Sequence, residues 1–242
     1  MAGMSERLER SVAGRDEKNG GVAHWAARLR VRLLVGLMKT GARRRTAWID
    51  GLMLRLGDGV CNPAPLRRLS IAELYRSALS DVDSQTSFLD IGTGSGVWAL
   101  MAVRLGADVT ATDLPGTPLD LVAENAWANG LYPPTLLAGD LFEPVAGQRF
   151  DRIVFNAPFH DGVPERAEDR AYLGGAGGNV FRRFLKALPE HLSEDGSACV
   201  ILPRTEWTLY EDSLSHFSVE VRAKKWVPLL GMIYCLELRA AS

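Results

Sequence analysis

From residue 87 onward, two kinds of hydrophobic pattern alternate along the chain. Short, continuously apolar runs are typical of buried strands, and the longer stretches between them carry apolar residues at helical spacing. The predicted strands cover residues 87–91, 108–112, 135–138, 150–155 and 198–202, and the predicted helices cover residues 96–105, 117–129, 179–192 and 206–214. Strands that alternate with helices predict an α/β fold with a mostly parallel, Rossmann-like sheet and helices on both faces.

Two further strands are predicted near the C-terminus, over residues 219–227 and 232–238. The connection between them is too short for a helical crossover, so we expect an antiparallel hairpin that completes a seven-stranded sheet. Within the alternating region, Thr117 is the predicted N-cap of a helix with Pro118 at its first position and Gly130 just past its end. This order of residues is typical of helix boundaries.

The N-terminal third has a different pattern. Residues 1–21 lack apolar periodicity and predict a flexible tail. A series of apolar residues spaced by four begins at Trp25 and predicts amphipathic helix as far as about Leu56. Ser70 and Glu73 have the spacing of a capping box and predict the start of another helix.

These patterns predict three parts. Residues 1–21 form the tail, residues 22–80 form an N-terminal helical lid or cap, and residues 81–242 form the catalytic, cofactor-binding domain. The segment 57–65 is rich in turn residues, and we expect it to lie over the methionine side of a cofactor pocket.

Composition narrows the class of protein. The 242 residues are 47% hydrophobic and 24% charged, which is typical of a soluble globular domain. Net charge is −1, yet 15 of the 28 basic residues and only 7 of the 29 acidic residues lie within residues 1–80. This skew indicates either a basic arm for an acidic partner or, as the favoured alternative, packing of the first part on the acidic remainder.

The chain also lacks several other signals. The three cysteines are odd in number, far apart and form no C-x-x-C motif, which predicts a reducing, cytoplasmic compartment without disulfides. The four histidines have no metal-ligand spacing, so we expect no metal. No apolar run approaches the roughly 20 residues of a membrane helix, and we expect no membrane partner.

The first chemical signal is the stretch FLDIGTGSGVWAL at residues 88–100, a buried strand followed by a glycine loop and a helix. Glycines allow a tight turn and close approach of a ligand, and the helix N-terminus favours polar or anionic groups. A nucleotide fingerprint spaces its last two glycines three apart, whereas Gly94 and Gly96 are two apart. Asp90 precedes the loop and suits an ammonium group better than a pyrophosphate.

Acidic residues end three successive predicted strands: Asp90, Asp113 and Asp140. They suit a ligand with a cationic amino acid end, a ribose and an adenine amino group, which describes S-adenosylmethionine. The stretch resembles the class I S-adenosylmethionine-dependent methyltransferases over about residues 85–240. The resemblance implies that the cofactor contacts comprise Asp90, Gly92, Thr93 and Gly94 near methionine, Asp113 and Leu114 near ribose, Asp140 and Leu141 near adenine, and Asn156.

The second signal is NAPFHDG at residues 156–162, directly after a predicted strand. The Asn156 amide can accept a hydrogen bond from an N–H nucleophile, and Phe159 can stack on a planar target. The stretch resembles the N-P-P-[YF] motif of small-domain N-methyltransferases, such as release-factor glutamine and ribosomal RNA guanine-N2 methyltransferases. The departure is Ala157, where the family has proline.

A long glycine-rich loop over residues 161–178 follows this motif and is expected to cover the acceptor. Tyr172 is its only aromatic residue and is a candidate catalytic residue together with Asn156 and Phe159. His160 could act as a base, but a structural role is favoured because attack by a neutral amine needs little basic assistance.

The favoured function is N-methylation of a small-molecule or peptide amine or amide. RNA methylation stays open but is not favoured, since only about 60 residues precede the fold and no stacking platform accompanies the arginines. A third alternative is cyclisation of the cofactor's own amino acid with release of methylthioadenosine. A non-enzymatic cofactor-binding scaffold is the least favoured, and the sequence leaves the oligomeric state open.

Overall fold

The computed structural model describes residues 46–57, 60–61, 71–227 and 231–241. Nine strands and five α-helices occur in this part of the chain: β1 Thr46–Ile49, β2 Leu52–Arg55, α1 Ala72–Ser77, β3 Ser87–Ile91, α2 Val97–Arg104, β4 Asp108–Asp113, α3 Thr117–Ala128, β5 Thr135–Ala138, β6 Phe150–Phe155, α4 Asn179–His191, β7 Leu192–Pro203, α5 Trp207–Leu214, β8 Phe217–Val227 and β9 Gly231–Ala240. Four short 3-10 helices cover Glu143–Val145, Ala167–Ala171, Ala176–Gly178 and Arg204–Glu206.

Seven strands form one sheet in the order β5-β4-β3-β6-β7-β9-β8. The first five are parallel, while β9 pairs antiparallel with both β7 and β8. The predicted α/β class, the parallel sheet and the C-terminal antiparallel hairpin are therefore confirmed. The order reverses between β3 and β6, and in open α/β sheets such a switch point creates a ligand crevice at the carboxyl ends of the strands.

The hydrophobic core lies in two layers, one on each face of the sheet. Successive strand residues alternate between them: Phe88 packs with α1, α2 and α3, whereas Leu89 packs with α4 and α5. Both residues are fully buried. This two-sided burial explains why the central strands are continuously apolar rather than alternating. None of the helices in the described ranges is long and apolar enough to cross a membrane.

The N-terminal segment differs from the sequence prediction. Residues 46–55 form a β-hairpin instead of continuing a helix to Leu56, with Ile49 paired to Leu52 across a two-residue turn. Asp50 and Gly51 have φ values of +50° and +81°, as a tight hairpin turn requires. The helix prediction was wrong here because a spacing of four was extended through an Asp-Gly dipeptide. The series that begins at Trp25, and Ser70, lie outside the described residues.

Two asparagine side chains on α3 attach this hairpin to the domain. Asn129 accepts from the Met53 backbone N–H at 2.9 Å and donates to the Met53 carbonyl at 2.8 Å. Asn125 pairs with Arg55 in the same way and also donates to the carbonyl of Ser95 at 2.9 Å. Each amide thus satisfies backbone groups of β2 as a neighbouring strand would. The hairpin is held against the glycine loop through fully buried Asn125.

The boundary of α3 also differs by one residue from the prediction. Gly116, not Thr117, occupies the N-cap position, and its φ of +127° favours glycine. Pro118 lies in the first turn as predicted, and Gly130 follows the C-cap with a φ of +69°. The first turn of α3 therefore starts directly after the loop that follows Asp113.

Candidate functional site

A cavity of about 310 Å³ opens at the carboxyl ends of β3, β4 and β6. Its wall is formed by the glycine loop, the loop after Asp113, the residues after β6 and the segment before α1. Seven of the predicted site residues line it: Asp90, Gly92, Thr93, Gly94, Asp113, Leu114 and Asn156. Residues distant in sequence thus meet at the switch point of the sheet.

The glycine loop lets the chain turn closely beneath the cavity. Gly92 and Gly94 have φ values of +61° and +56°, which favour glycine. A Cβ on Gly92 would also lie 3.2 Å from the Phe155 ring. The loop is closed by the N–H of Thr93, which donates to the carbonyl of Thr112 at 3.0 Å. The backbone of this loop is therefore fixed before any ligand binds.

Asp90 is a buried carboxylate on the cavity wall, with 2% of its surface exposed. Its Oδ2 accepts from Thr93 Oγ1 at 2.8 Å and from the N–H of Ala99 at 3.1 Å. Burial raises the pKa of Asp90 to about 7, and the charge of Asp113 adds to the rise against the opposing hydrogen bonds. A cationic group in the cavity would favour the ionised carboxylate.

Asp113 is held with both oxygens oriented. One accepts from the N–H of Gly94 at 2.9 Å and the other from the N–H of Leu114 at 2.8 Å. Burial raises its pKa above the usual range despite these bonds. Each oxygen retains a lone pair for a further donor, so the carboxylate can accept from two neighbouring hydroxyl groups.

Asp140 and Leu141 are not brought to this cavity. Asp140 forms an ion pair with Arg183 on α4, with 2.8 Å between the guanidinium and a carboxylate oxygen. Leu141 has an unusual φ of +51° and packs at the edge of the core that contains α4. The adenine contacts of these two residues stay a prediction.

Asn156 lines the cavity directly after β6, but Phe159 does not. The Phe159 carbonyl accepts from the Tyr210 hydroxyl at 2.9 Å, which ties the end of the motif to α5. The next residue, His160, is 3% exposed, and its Nδ1 lies 3.2 Å from Glu206 Oε1. Its Nε2 has no hydrogen-bond partner among the described residues. Two residues near the start of α5 thus position the segment that follows Asn156.

The loop over residues 161–178, named the acceptor loop because it is predicted to cover the acceptor, carries Tyr172. This residue is buried, with 7% of its surface accessible, and does not line the cavity. Its hydroxyl is hydrogen-bonded to the Cys61 thiol, and burial raises the pKa of that thiol to about 11. Val60 and Cys61 of the segment 57–65 line the cavity, and the place of this segment over the methionine side stays a prediction. Its residues 58–59 and 62–65 lie outside the described ranges. The contact joins the N-terminal segment to the acceptor loop.

The acceptor loop is folded back onto the NAPFHDG motif. The N–H of His160 donates to the Tyr172 carbonyl at 3.2 Å, and the N–H of Gly174 donates to the His160 carbonyl at 2.9 Å. A Cβ on Gly174 would lie 2.1 Å from the Pro158 carbonyl oxygen, so no larger residue fits there. The loop is therefore packed as part of the site.

Tyr75, Trp98 and Arg170 are among the cavity residues that sequence reasoning missed. Trp98 donates from its indole nitrogen to the Tyr75 carbonyl at 3.2 Å, and the two rings meet edge to face at 4.9 Å. Burial raises the pKa of Tyr75 well above its usual range, so its hydroxyl stays neutral. Trp98 could have been found from its place two residues after Gly96, but Tyr75 and Arg170 come from segments without a motif.

The cavity fits S-adenosylmethionine in charge and in its hydrogen-bond acceptors. Two oriented carboxylates match cationic and hydroxyl groups, and the first turn of α2 lies behind the glycine loop. The strand order, the position of the acids and the motif after β6 together define a class I methyltransferase domain.

Residues 72–225 match the family described as methyltransferase small domain, and the chain belongs to this family. The resemblance drawn from the glycine loop and the NAPF motif is therefore confirmed, and S-adenosylmethionine is the cofactor. The match covers β3 to β7 completely, together with α1 and most of β8.

Curated relatives include glutamine methyltransferases. The ribosomal protein uL3 glutamine methyltransferase of Bradyrhizobium diazoefficiens is 41% identical over 120 residues, which cover 45% of this chain and 38% of the relative. A release factor glutamine methyltransferase of Xylella fastidiosa is 40% identical over 142 residues, or 53% of this chain and 52% of the relative. The chain thus spans about two fifths to one half of the length of these relatives.

Solved structures share the fold. The Thermus thermophilus 16S rRNA N2 G1207 methyltransferase, solved in complex with AdoMet and guanosine, superposes with a TM-score of 0.59 at 20% identity. The superposition covers 81% of this chain and 50% of that one. At this level of identity, the likeness shows the fold alone.

Proposed function

We propose that this protein transfers the methyl group of S-adenosylmethionine to an amide nitrogen of a peptide or protein acceptor. The observation that carries the proposal is the Asn156 side chain on the wall of the cofactor cavity, directly after the central strand β6. The glutamine methyltransferases among the relatives support an amide acceptor over a small-molecule amine.

Asn156 has the chemistry that an amide acceptor needs. An amide nitrogen is a poor nucleophile because its lone pair is delocalised over the carbonyl group. A side-chain oxygen that accepts from the acceptor N–H orients the nitrogen and draws electron density onto it, while the Asn156 NH2 can donate to the acceptor carbonyl. This is catalysis by positioning, with polar groups fixed in advance.

The surrounding chain keeps Asn156 in place. Ala157 is 3% exposed and packs in the core that contains α4 and α5, where the family motif has proline. The bonds of Phe159 and His160 to α5 and its preceding turn hold the other end of the motif. We infer that this packing compensates for the missing rigidity of proline.

The cofactor supplies an electrophilic methyl group on a sulfonium when it is bound. Asp90 and Asp113 bind and orient its polar groups, and the apolar wall that includes Val60 and Phe155 excludes water. Methylation is favoured over the cyclisation alternative because the named relatives are methyltransferases.

The test uses the intact chain with methyl-labelled S-adenosylmethionine and synthetic peptides that contain a single glutamine in varied flanks. Matched peptides carry glutamate or asparagine at the same position. We expect mass spectrometry to find one added methyl group on glutamine only. Labelled RNA with unlabelled peptides, or methylthioadenosine formed without any acceptor, would overturn the proposal.

A further inference from the structure

The charges on the cavity wall point to a binding role for Arg170. Two carboxyl groups and one guanidinium of the described residues line the wall: those of Asp90, Asp113 and Arg170. S-adenosylmethionine carries two cationic groups, an ammonium and a sulfonium, and one carboxylate. The wall therefore offers a cation for the single anionic group of the cofactor.

The cofactor carboxylate needs such a partner. It is repelled by Asp90 and Asp113, and an ionised carboxylate that leaves water without a partner is costly. Several neutral donors at the wall are already engaged: Thr93 Oγ1 bonds to Asp90, the Trp98 indole N–H bonds to the Tyr75 carbonyl, and the Gly94 N–H bonds to Asp113. The hydroxyls of Ser95 and Tyr75 and the amide of Asn156 also line the wall, but they carry no positive charge, so Arg170 supplies the cation among the described lining residues.

The backbone that carries Arg170 is held beside the cavity. Arg170 lies in the 3-10 turn Ala167–Ala171, and a carboxylate oxygen of Asp169 accepts from the N–H of Arg166 at 3.0 Å. The N–H groups of Tyr172 and Leu173 donate to the Asp169 carbonyl at 3.0 and 2.8 Å. Arg170 lines the cavity and is also solvent-exposed, so its guanidinium can pair with a ligand carboxylate without a large desolvation penalty.

We propose that Arg170 binds the α-carboxylate of S-adenosylmethionine. The cavity would thereby bind S-adenosylmethionine more tightly than a cofactor analogue that lacks the carboxylate. The planar guanidinium can donate two parallel hydrogen bonds to a carboxylate, which an ammonium of lysine cannot reproduce. This assigns a cofactor-recognition role to the acceptor loop, because the loop that is predicted to cover the acceptor then also contacts the cofactor through Arg170.

The experiment compares two ligands that differ only in the carboxylate, S-adenosylmethionine and decarboxylated S-adenosylmethionine. Their binding to the intact chain is measured by calorimetry without an acceptor. We expect Arg170→Met to weaken binding of S-adenosylmethionine about tenfold and to leave the decarboxylated ligand unchanged. Arg170→Lys should restore part of the loss.

Lys186→Met is the matched control, because Lys186 is an exposed cation on α4 that does not line the cavity. It should bind both ligands as the parent chain does. Equal weakening of both ligands by Arg170→Met would show that Arg170 supports the loop rather than the carboxylate. Unchanged affinity for both would assign Arg170 to another role, such as acceptor binding, and either result would overturn the proposal.

Discussion

The two sides of the cavity are built by different means. On the cofactor side, Asp90 and Asp113 are oriented by backbone N–H groups and a hydroxyl from the glycine loop and α2. On the acceptor side, the segment after Asn156 is held by side chains more than 40 residues away, Glu206 and Tyr210. The contacts of the first arrangement join residues no more than 19 positions apart, whereas those of the second join residues more than 40 positions apart and depend on the packing of α5. A substitution can therefore damage one side while sparing the other.

The largest expected effect lies on the cofactor side. Asp113→Ala removes the acceptor of two backbone N–H bonds and the proposed partner of two hydroxyl groups. We expect S-adenosylhomocysteine to bind at least about 100-fold more weakly in calorimetry. Asp108→Ala, at the exposed beginning of the same strand, is the control and should bind normally. If the Asp113 variant kept its affinity for S-adenosylhomocysteine, Asp113 would not be a cofactor-binding residue.

The adjacent residues Gly177 and Gly178 allow a test of whether Tyr210 positions the acceptor side of the cavity. A Cβ on Gly178 would lie 2.2 Å from the Tyr210 hydroxyl oxygen, whereas a Cβ on Gly177 would meet nothing within 4 Å. Both have similar positive φ values, +67° and +64°, so alanine costs similar backbone strain at each, about 1–3 kcal/mol.

Gly178→Ala should therefore displace Tyr210 and lower kcat between about 10- and 100-fold, with cofactor affinity retained. Gly177→Ala should lose only the stability that the backbone strain costs and should keep its turnover, whereas Gly178→Ala loses further stability through the contact with Tyr210. Steady-state kinetics and thermal unfolding of both variants make the comparison. Equal kcat values in the two variants would mean that the Tyr210 contact does not position the acceptor side.

The pH dependence of cofactor binding tests the role of Asp90 on the cofactor side of the cavity. The pKa of Asp90 is about 7 in the empty cavity, and a cationic ligand favours its ionised form. Affinity for S-adenosylmethionine should therefore rise about tenfold between pH 6 and pH 8, as the proton leaves Asp90. Calorimetry in matched buffers measures this rise, and Asp90→Asn should flatten it. A flat profile in the parent chain would contradict the assignment.

The raised pKa of Asp90 also predicts how the stability of the cofactor-free chain depends on pH. Because the pKa of Asp90 is higher in the folded chain than its ordinary value of 3.8, the folded state binds more protons. Its contribution to stability is present below about pH 4 and is lost as the pH rises through about 7. Denaturant unfolding of the parent chain and Asp90→Asn should differ by an amount that changes across this window.

The smallest expected effect is the loss of one hydrogen bond. Tyr210→Phe removes the bond to the Phe159 carbonyl but keeps the ring in the core. We expect kcat to fall about fivefold, in keeping with about 1 kcal/mol for such a bond. Tyr132→Phe, with 81% of the residue exposed, is the matched control and should have no effect. A fall in cofactor affinity instead of kcat would contradict the assignment of Tyr210 to the acceptor side.

The same contrast explains which features the sequence could predict. Gly92, Gly94 and the acids at the ends of β3 and β4 form local patterns, and the structure brings them to one cavity. The hairpin over residues 46–55 has a local turn signal in Asp50-Gly51, but the apolar spacing of four that precedes it predicts a helix, and the turn overrides this spacing. Tyr210 could not be predicted, since only the packing of α5 brings it to Phe159.

The central claim is that binding the cofactor and activating the acceptor are separable functions of the two sides. Asn156→Ala tests it most directly, with S-adenosylhomocysteine binding and peptide methylation measured on the same preparation and with exposed Asn179→Ala as control. We predict that affinity stays within about twofold while turnover falls on the order of 100-fold. A parallel loss of affinity and turnover would contradict the claim.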